Sequence, residues 1–198
     1  MRKLIVSEFL TLDGVMQSPG YPDEDPSGGF EHGGWQMPFM DDLAGAEIIA
    51  GMEATDALLL GRVTYEIFAA YWPSADDPMA ETINSFTKYV VSTTLHEPLD
   101  WKDSHVIAGD VPGEVRKLKE ASGKDIQVIG SGKLVQTLME HDLVDEYRLM
   151  IDPLVLGTGK RLFRDGSPKT PLRLIDSKTS SKGVLIVAYQ PEGSAVPG

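Results

Sequence analysis

The chain reads as an α/β protein: a central, mostly parallel sheet with helices on both faces and an antiparallel hairpin at its C-terminal end. Three observations predict this. The short apolar run Ala57-Leu58-Leu59-Leu60 has the composition of a strand covered on both faces, and Asp125-Ile126-Gln127-Val128-Ile129 reads as a further strand. Segments of helical period follow them, so strands and helices alternate along the chain. Near the end, residues 172–177 and 184–189 flank Ser180-Ser181-Lys182-Gly183 and read as a hairpin.

In order, residues 2–10 form the first predicted strand, with Leu4, Ile5, Val6 and Phe9, and Asp13-Gly14 turns the chain. Asp13 has two readings: it orients a ligand at the strand's carboxyl end, or it closes the turn through an Asx bond. Residues 17–34 are a long acidic loop rich in Gly and Pro, read either as a lid over a site or as a disordered insertion. Trp35 follows Gly33-Gly34 and is either a surface on which a flat ligand stacks or a core residue. Residues 38–52 predict a helix with Leu43, Ala46, Ile48, Ile49 and Ala50 on its apolar face. Asp41 and Asp42 fall in its first turn, where the helix dipole favours negative charge. The other reading of that pair is a carboxyl facing a cleft and relaying a proton.

A strand over residues 57–60 and a helix over 64–70 come next, then loops at Tyr71-Trp72-Pro73 and Asp76-Asp77-Pro78 and a short helix over 79–86. Residues 88–92 form a strand ending in Ser92-Thr93-Thr94, whose hydroxyls either bind a phosphate or ribose or cap a turn. After a strand over 104–108, Asp110 caps a helix with Pro112 near its start and Val111, Val115 and Leu118 on one face. Residues 125–129 are a strand, and the helix over 133–141 buries Leu134, Val135, Leu138 and Met139. A further strand runs over 145–156, interrupted at Asp152-Pro153, before the turn Gly157-Thr158-Gly159-Lys160. One domain over residues 1–190 and a flexible tail over 191–198 are expected.

Two places in this order can hold an anion. At Gly61-Arg62-Val63-Thr64-Tyr65 a buried strand meets a glycine and then a helix start, which aims free backbone N–H groups and a positive dipole end at one point. Arg62 adds a planar cation suited to phosphate and Thr64 a hydroxyl; the plain alternative is an ordinary connection with Arg62 on the surface. Gly130-Ser131-Gly132-Lys133-Leu134 repeats the arrangement, with Lys133 read either as a phosphate ligand or as a solvated first-turn lysine. It is neither a P-loop nor the full dinucleotide fingerprint.

Composition narrows the function classes. The formal net charge of −12 argues against a nucleic-acid surface. There is no cysteine, hence no disulfide or thiolate metal site, and His32, His96, His105 and His141 are scattered without metal spacing. No apolar run is long enough to span a bilayer, and Glu8 cuts short the only stretch resembling a signal peptide. A cytoplasmic protein with a small-molecule substrate is expected.

Leu12-Asp13-Gly14, Gly61-Arg62-Val63-Thr64-Tyr65-Glu66, Lys88-Tyr89-Val90-Val91-Ser92, Gly130-Ser131-Gly132 and Asp145-Glu146-Tyr147 occur in an order that resembles the dihydrofolate reductase-like superfamily, in its RibD C-terminal-like reductase branch. The resemblance covers the whole chain except the tail. It implies the three-layer dihydrofolate reductase-like fold, NADPH as hydride donor, and a homodimer joined by the late strands. It implies that Gly61, Arg62 and Thr64 sit at the cofactor's phosphates and that Ser92 and Thr93 approach the adenosine 2′-phosphate. Gly130, Ser131, Gly132, Lys133 and Leu134 would hold the pyrophosphate, with the nicotinamide near Asp13. Asp42-Leu43-Ala44 resembles the carboxylate-bearing helix of dihydrofolate reductase, which makes Asp42 and Asp13 the candidate acids and Trp35 and Asp13 the candidate substrate contacts. Riboflavin reductase domains carry Glu before the glycine pair, whereas this chain has Ile129. The expected activity is hydride transfer to a pyrimidine- or pterin-like heterocycle, with dihydrofolate reduction or a non-catalytic dinucleotide-binding module as the rivals.

Overall fold

The computed structural model describes residues 1–193. In chain order the elements are β1 (Leu4–Thr11), α1 (Asp42–Glu53), β2 (Thr55–Gly61), α2 (Arg62–Tyr71), α3 (Ala80–Ser85), β3 (Thr87–Val91), β4 (Ser104–Ile107), α4 (Val111–Glu120), β5 (Asp125–Ile129), α5 (Gly132–Glu140), β6 (Glu146–Asp152), β7 (Leu172–Thr179) and β8 (Leu185–Pro191). The strands form one eight-stranded sheet in the order β4-β3-β2-β5-β1-β6-β8-β7. From β4 to β6 every pairing is parallel. The final hairpin adds β8 antiparallel to β6, and β7 antiparallel to β8.

Both faces of the central strands are buried, which is why the sequence reads there as runs and not as alternation. The two-residue period still decides where each side chain goes. Along β2, Ala57 and Leu59 join Val115, Leu134, Val135 and Leu138 in a core beneath α4 and α5. Leu58 and Leu60 point the other way, to Met52, Tyr65, Ile83 and Phe86 beneath α1, α2 and α3. The helices therefore divide between the two faces, as the fold class requires.

Several boundaries differ from expectation. The helix expected over residues 38–52 begins at Asp42, because Pro38 sits in a separate 3-10 turn, Met37–Phe39, and Met40 is extended. Asp41 then caps α1, accepting from the Ala44 amide at 3.0 Å. The strand expected over 145–156 stops at Asp152. Past Pro153 the chain doubles back along the end of β1, where Leu12 donates to the Leu154 carbonyl and Met16 to that of Lys160. Pro191, expected in the tail, closes β8 opposite Leu172; the rest of the tail expectation falls on residues 194–198, outside those described.

The loop over residues 17–34 is built, not loose. Gln17 Nε2 donates to the carbonyls of Asp25 and Ser27 at 3.0 and 2.9 Å, and its Oε1 accepts from the Lys160 amide. Lys160 Nζ reaches Asp25 and the Ser27 hydroxyl, both at 2.6 Å. Tyr21 stacks on Tyr71 of α2 with ring centroids 6.0 Å apart.

Candidate active site

The two glycine junctions lie side by side. β2 and β5 are neighbours in the sheet, so Gly61 and Gly130 leave it at the same carboxyl edge. The connection through α2 leads to β3 on one side, whereas that through α5 passes over β1 to β6 on the other. Adjacent parallel strands whose crossovers diverge in this way open a crevice between them, the usual ligand position in such sheets.

Ser131 ties the junctions together. Its hydroxyl accepts from the Gly61 amide at 2.9 Å, and its own amide donates to Thr64 Oγ1 at 3.0 Å. The hydroxyl proton goes to the Ile129 carbonyl at 3.1 Å. To do this Ser131 adopts a left-handed conformation, φ 60° and ψ 34°, which a non-glycine residue tolerates only under local constraint. Gly130 precedes it, also at φ +60°, and a Cβ there would lie 2.9 Å from Thr64 Oγ1. Gly130 is thus demanded by both conformation and space. At Gly61 an added Cβ would meet only ordinary contacts, the nearest at 3.6 Å, and φ is −76°.

Neither α2 nor α5 has a side-chain cap. The amides of residues 62–64 and 132–134 lack intrahelical partners by helix geometry and lie at the sheet's carboxyl edge. Two such groups of donors, joined through Ser131, match the oxygens of a diphosphate. The nearby cations are exposed: Lys133, and Arg62, whose Nη1 is held by both carboxylate oxygens of Glu66 at 3.0 and 2.8 Å. A surface pair of this kind exchanges readily for a phosphate. Leu134 is buried and reaches the crevice only by its amide. Ser92 and Thr93 follow β3, one strand beyond Gly61. The Ser92 hydroxyl caps its own turn, accepting from the amides of Thr94 and Leu95 at 3.1 and 3.0 Å, whereas Thr93 and Thr94 are exposed. Between the loop and α2 lies a cleft of about 520 Å³, floored by Val63, Ile67 and Ala70 and edged by Glu24, Asp25 and Glu66.

The expected acids are placed otherwise. Asp13 accepts from Thr11 Oγ1 at 2.6 Å and from the amides of Gly157 and Leu156 at 2.9 and 3.2 Å, and pairs with Arg161 at 3.3 Å. The Thr11 hydroxyl above all, with these amides and Arg161, holds its carboxyl well below the usual carboxylate range. It is a clamp on the returning chain, with no proton to give and no free oxygen for substrate. Asp42 is exposed on the first turn of α1; its neighbour Asp41 does the capping and also accepts from the Ser181 amide and hydroxyl at 2.8 and 2.7 Å. Trp35 is 6% exposed, packs with Val15 and Phe30, and donates its indole N–H to the Gln17 carbonyl at 2.7 Å, so its ring belongs to the core and not to a stacking surface.

Two carboxyl groups not singled out from the sequence are buried with unpartnered oxygens. Glu8 of β1 is 7% exposed and its Oε1 has no partner. Burial pushes its pKa well above the ordinary value, opposed by the Gly130 amide lying against it and reinforced by the charge of Glu24. Asp152, at the end of β6 beside Thr11, is fully buried with both oxygens unpartnered, and burial raises it to about 7. The signals were faint: a single carboxylate inside an apolar strand, and an Asp-Pro step at a strand end. Among the described residues no group of acidic or histidine side chains could hold a metal ion, and no helix is long and apolar enough to cross a membrane.

Comparison with known proteins agrees with this architecture. The family model described as RibD C-terminal domain matches residues 2–186. The uncharacterized protein YyaP of Bacillus subtilis (strain 168) is 32% identical over 201 residues, covering 97% of this chain and 96% of the relative. A Shewanella sp. PV-4 protein provisionally assigned to riboflavin biosynthesis superposes with a TM-score of 0.70 at 23% identity, covering 96% of this chain and 99% of its own. Acinetobacter baumannii RibD superposes with a TM-score of 0.65 at 13% identity over 96% of this chain, which spans 58% of that longer protein. At these identities the two structures establish the fold alone, which is of the dihydrofolate reductase-like type.

Proposed function

The chain belongs to the RibD C-terminal domain family, and from that premise we propose that it is an NADPH-dependent reductase of a pyrimidine- or pterin-like heterocycle. The observation that supports this most is the Ser131 clip, which holds two uncapped helix starts close enough for one diphosphate to bridge them. In this reading the amides of residues 62–64 and 132–134 bind the diphosphate, and Arg62, released from Glu66, takes the adenosine 2′-phosphate beside Thr93. When bound, the reduced nicotinamide supplies the hydride. The residues of the chain orient the dinucleotide and keep water from it; the loop held by Lys160 and Gln17 forms the cover. A longer Thermotoga maritima relative of the same fold is named as a diaminohydroxyphosphoribosylaminopyrimidine deaminase/5-amino-6-(5-phosphoribosylamino)uracil reductase. Ile129 replaces the acidic contact expected in such domains, so the acceptor here is a related heterocycle without that contact. The same reading puts the protein in the cytoplasm as a homodimer joined through its late strands.

Thermal unfolding with added NADPH tests this reading. At a concentration 100 times the dissociation constant a native-state ligand stabilises by about 2.7 kcal/mol, a rise of roughly 5–10 °C for a domain of this size. No rise at saturating NADPH would sink the proposal. Arg62→Ala should weaken NADPH more than NADH; equal loss would move Arg62 to the diphosphate. Oxidation of NADPH by a pyrimidine or pterin acceptor separates a reductase from a module that only binds, and dihydrofolate in the same assay separates the two enzyme readings.

A further inference from the structure

The open cleft between the loop and α2 adjoins the diphosphate site and is lined by negative groups. Its floor is Val63, Ile67 and Ala70, which share one face of α2 over about 10 Å. Val63 also belongs to the uncapped first turn, so floor and helix start meet in one residue. The loop that forms the other wall leaves β1, whereas Thr93 follows β3, and these strands lie on opposite sides of β2 in the sheet order. With the 2′-phosphate beside Thr93, the cleft is left for the acceptor.

Three carboxyl groups line the cleft, Glu24, Asp25 and Glu66, and among the described residues no Lys, Arg or His does. Two of the three are paired: Asp25 with Lys160 at 2.6 Å, and Glu66 with Arg62 at 2.8 Å. Glu24 is half-buried and accepts from the Gly20 amide at 2.6 Å, and no cation among the described residues is bonded to it. Burial raises it, opposed by the amides of Gly20 and Tyr21. Dinucleotide binding bares a second carboxyl group, because Arg62 leaves Glu66 when it turns to the 2′-phosphate.

A phosphate monoester carries a charge of about −1.5 to −2 at neutral pH. In this cleft it would meet carboxyl groups and no free cation. An exocyclic amino group would instead donate to the same oxygens, with its ring on the apolar floor.

We propose that the acceptor carries amino groups and neither phosphate nor carboxylate, and that Glu24 and Glu66 set this preference by excluding anions from the cleft. This rests on the reductase reading above, and it separates acceptors which that reading leaves together. 5-Amino-6-ribosylaminouracil suits the cleft and its 5′-phosphate does not. A dihydropterin without a glutamate tail suits it and dihydrofolate does not.

Steady-state NADPH oxidation by the full chain, at saturating NADPH, tests this with two pairs of acceptors: 5-amino-6-ribosylaminouracil and its 5′-phosphate, and 7,8-dihydrobiopterin and dihydrofolate. In a pair that is reduced, kcat/KM for the member without the anionic group should exceed that for the other by about tenfold or more. Glu24→Lys should cut that ratio by about tenfold. Glu24→Gln, which keeps an acceptor for the Gly20 amide, should cut it by about threefold. In the wild type the ratio should shrink several-fold between about 0.05 and about 0.5 M salt, since repulsion in an open cleft is screened; this readout stands even where a variant fails to fold. No preference, preference for the anionic member, or a ratio unmoved by salt or by Glu24→Lys overturns the assignment while the reductase reading stands. Reduction of none of the four overturns the reductase reading and this assignment with it.

Discussion

The starts of the four longer helices fall into two kinds. α1 and α4 are sealed by their own aspartates: Asp41 accepts from Ala44, and Asp110 from Gly113, each at 3.0 Å. α2 and α5 carry no such cap. Where a cap would sit, they have a glycine at φ −76° and a strained serine whose hydroxyl serves the other helix's junction. The backbone physics is the same at all four. What differs is whether the chain supplies the negative group itself or leaves that place to a ligand. The carboxylates differ too: Asp41, held by the Ala44 amide and Ser181, is lowered to about 2, whereas burial raises Glu8 and Asp152.

Converting an open start into a sealed one gives the largest expected effect. Gly61→Asp fits the existing backbone and places a carboxylate where the diphosphate would lie. NADPH affinity should fall on the order of 100-fold, by charge repulsion at a few ångströms. Stability should stay within about 1 kcal/mol of wild type, since Asp is a favoured cap. Unchanged affinity in calorimetric titration would end the distinction between the two kinds of start.

The raised carboxyl makes a prediction of opposite sign to the caps. Between pH about 4 and about 7 the unfolded chain has released the Asp152 proton while the native state keeps it, so stability falls as pH rises through that window. Asp152→Asn removes this dependence. The difference between the wild-type and variant profiles across the window should be on the order of 3 kcal/mol, read from denaturant midpoints. Parallel profiles would show that Asp152 is ionised in the native protein.

Two smaller effects sharpen the contrast. Ser131→Ala leaves the Gly61 amide without its partner and keeps the left-handed strain; it should cost about 1–2 kcal/mol and weaken NADPH together with stability. Asp41→Ala and Asp110→Ala should each cost about 1 kcal/mol and leave NADPH affinity untouched. Loss of affinity in the capped-helix variants would show that all helix starts influence the crevice alike.

Much of this was readable beforehand, and the reason is local. A buried run, a glycine and a helical period lie within a dozen consecutive residues, so both junctions and Arg62, Thr64 and Ser131 could be named from neighbours alone. Asp110 was readable as a cap because Pro112 stands in the first turn of the helix that follows it. Asp41 and Asp42 were read as a pair because the helix was begun four residues early, at Pro38, which hid Asp41 as the cap. Glu8 and Asp152 could not be weighed because their surroundings come from strands and loops remote in the chain: Gly130 and Glu24 for one, Thr11 for the other. Trp35 and Asp13 carried two readings each, and only their tertiary partners chose between them.

The position of β1 has a consequence for biosynthesis. The earliest made of the eight strands is the one that ends up between β5 and β6, so its partners arrive only with residues 125–129 and 146–152. Until then Leu4, Ile5, Val6 and Leu10, all buried at the end, have nothing of their own sheet to lie against. Completion of the sheet must wait until β6 has been made, which makes β1 the strand most in need of chaperone cover.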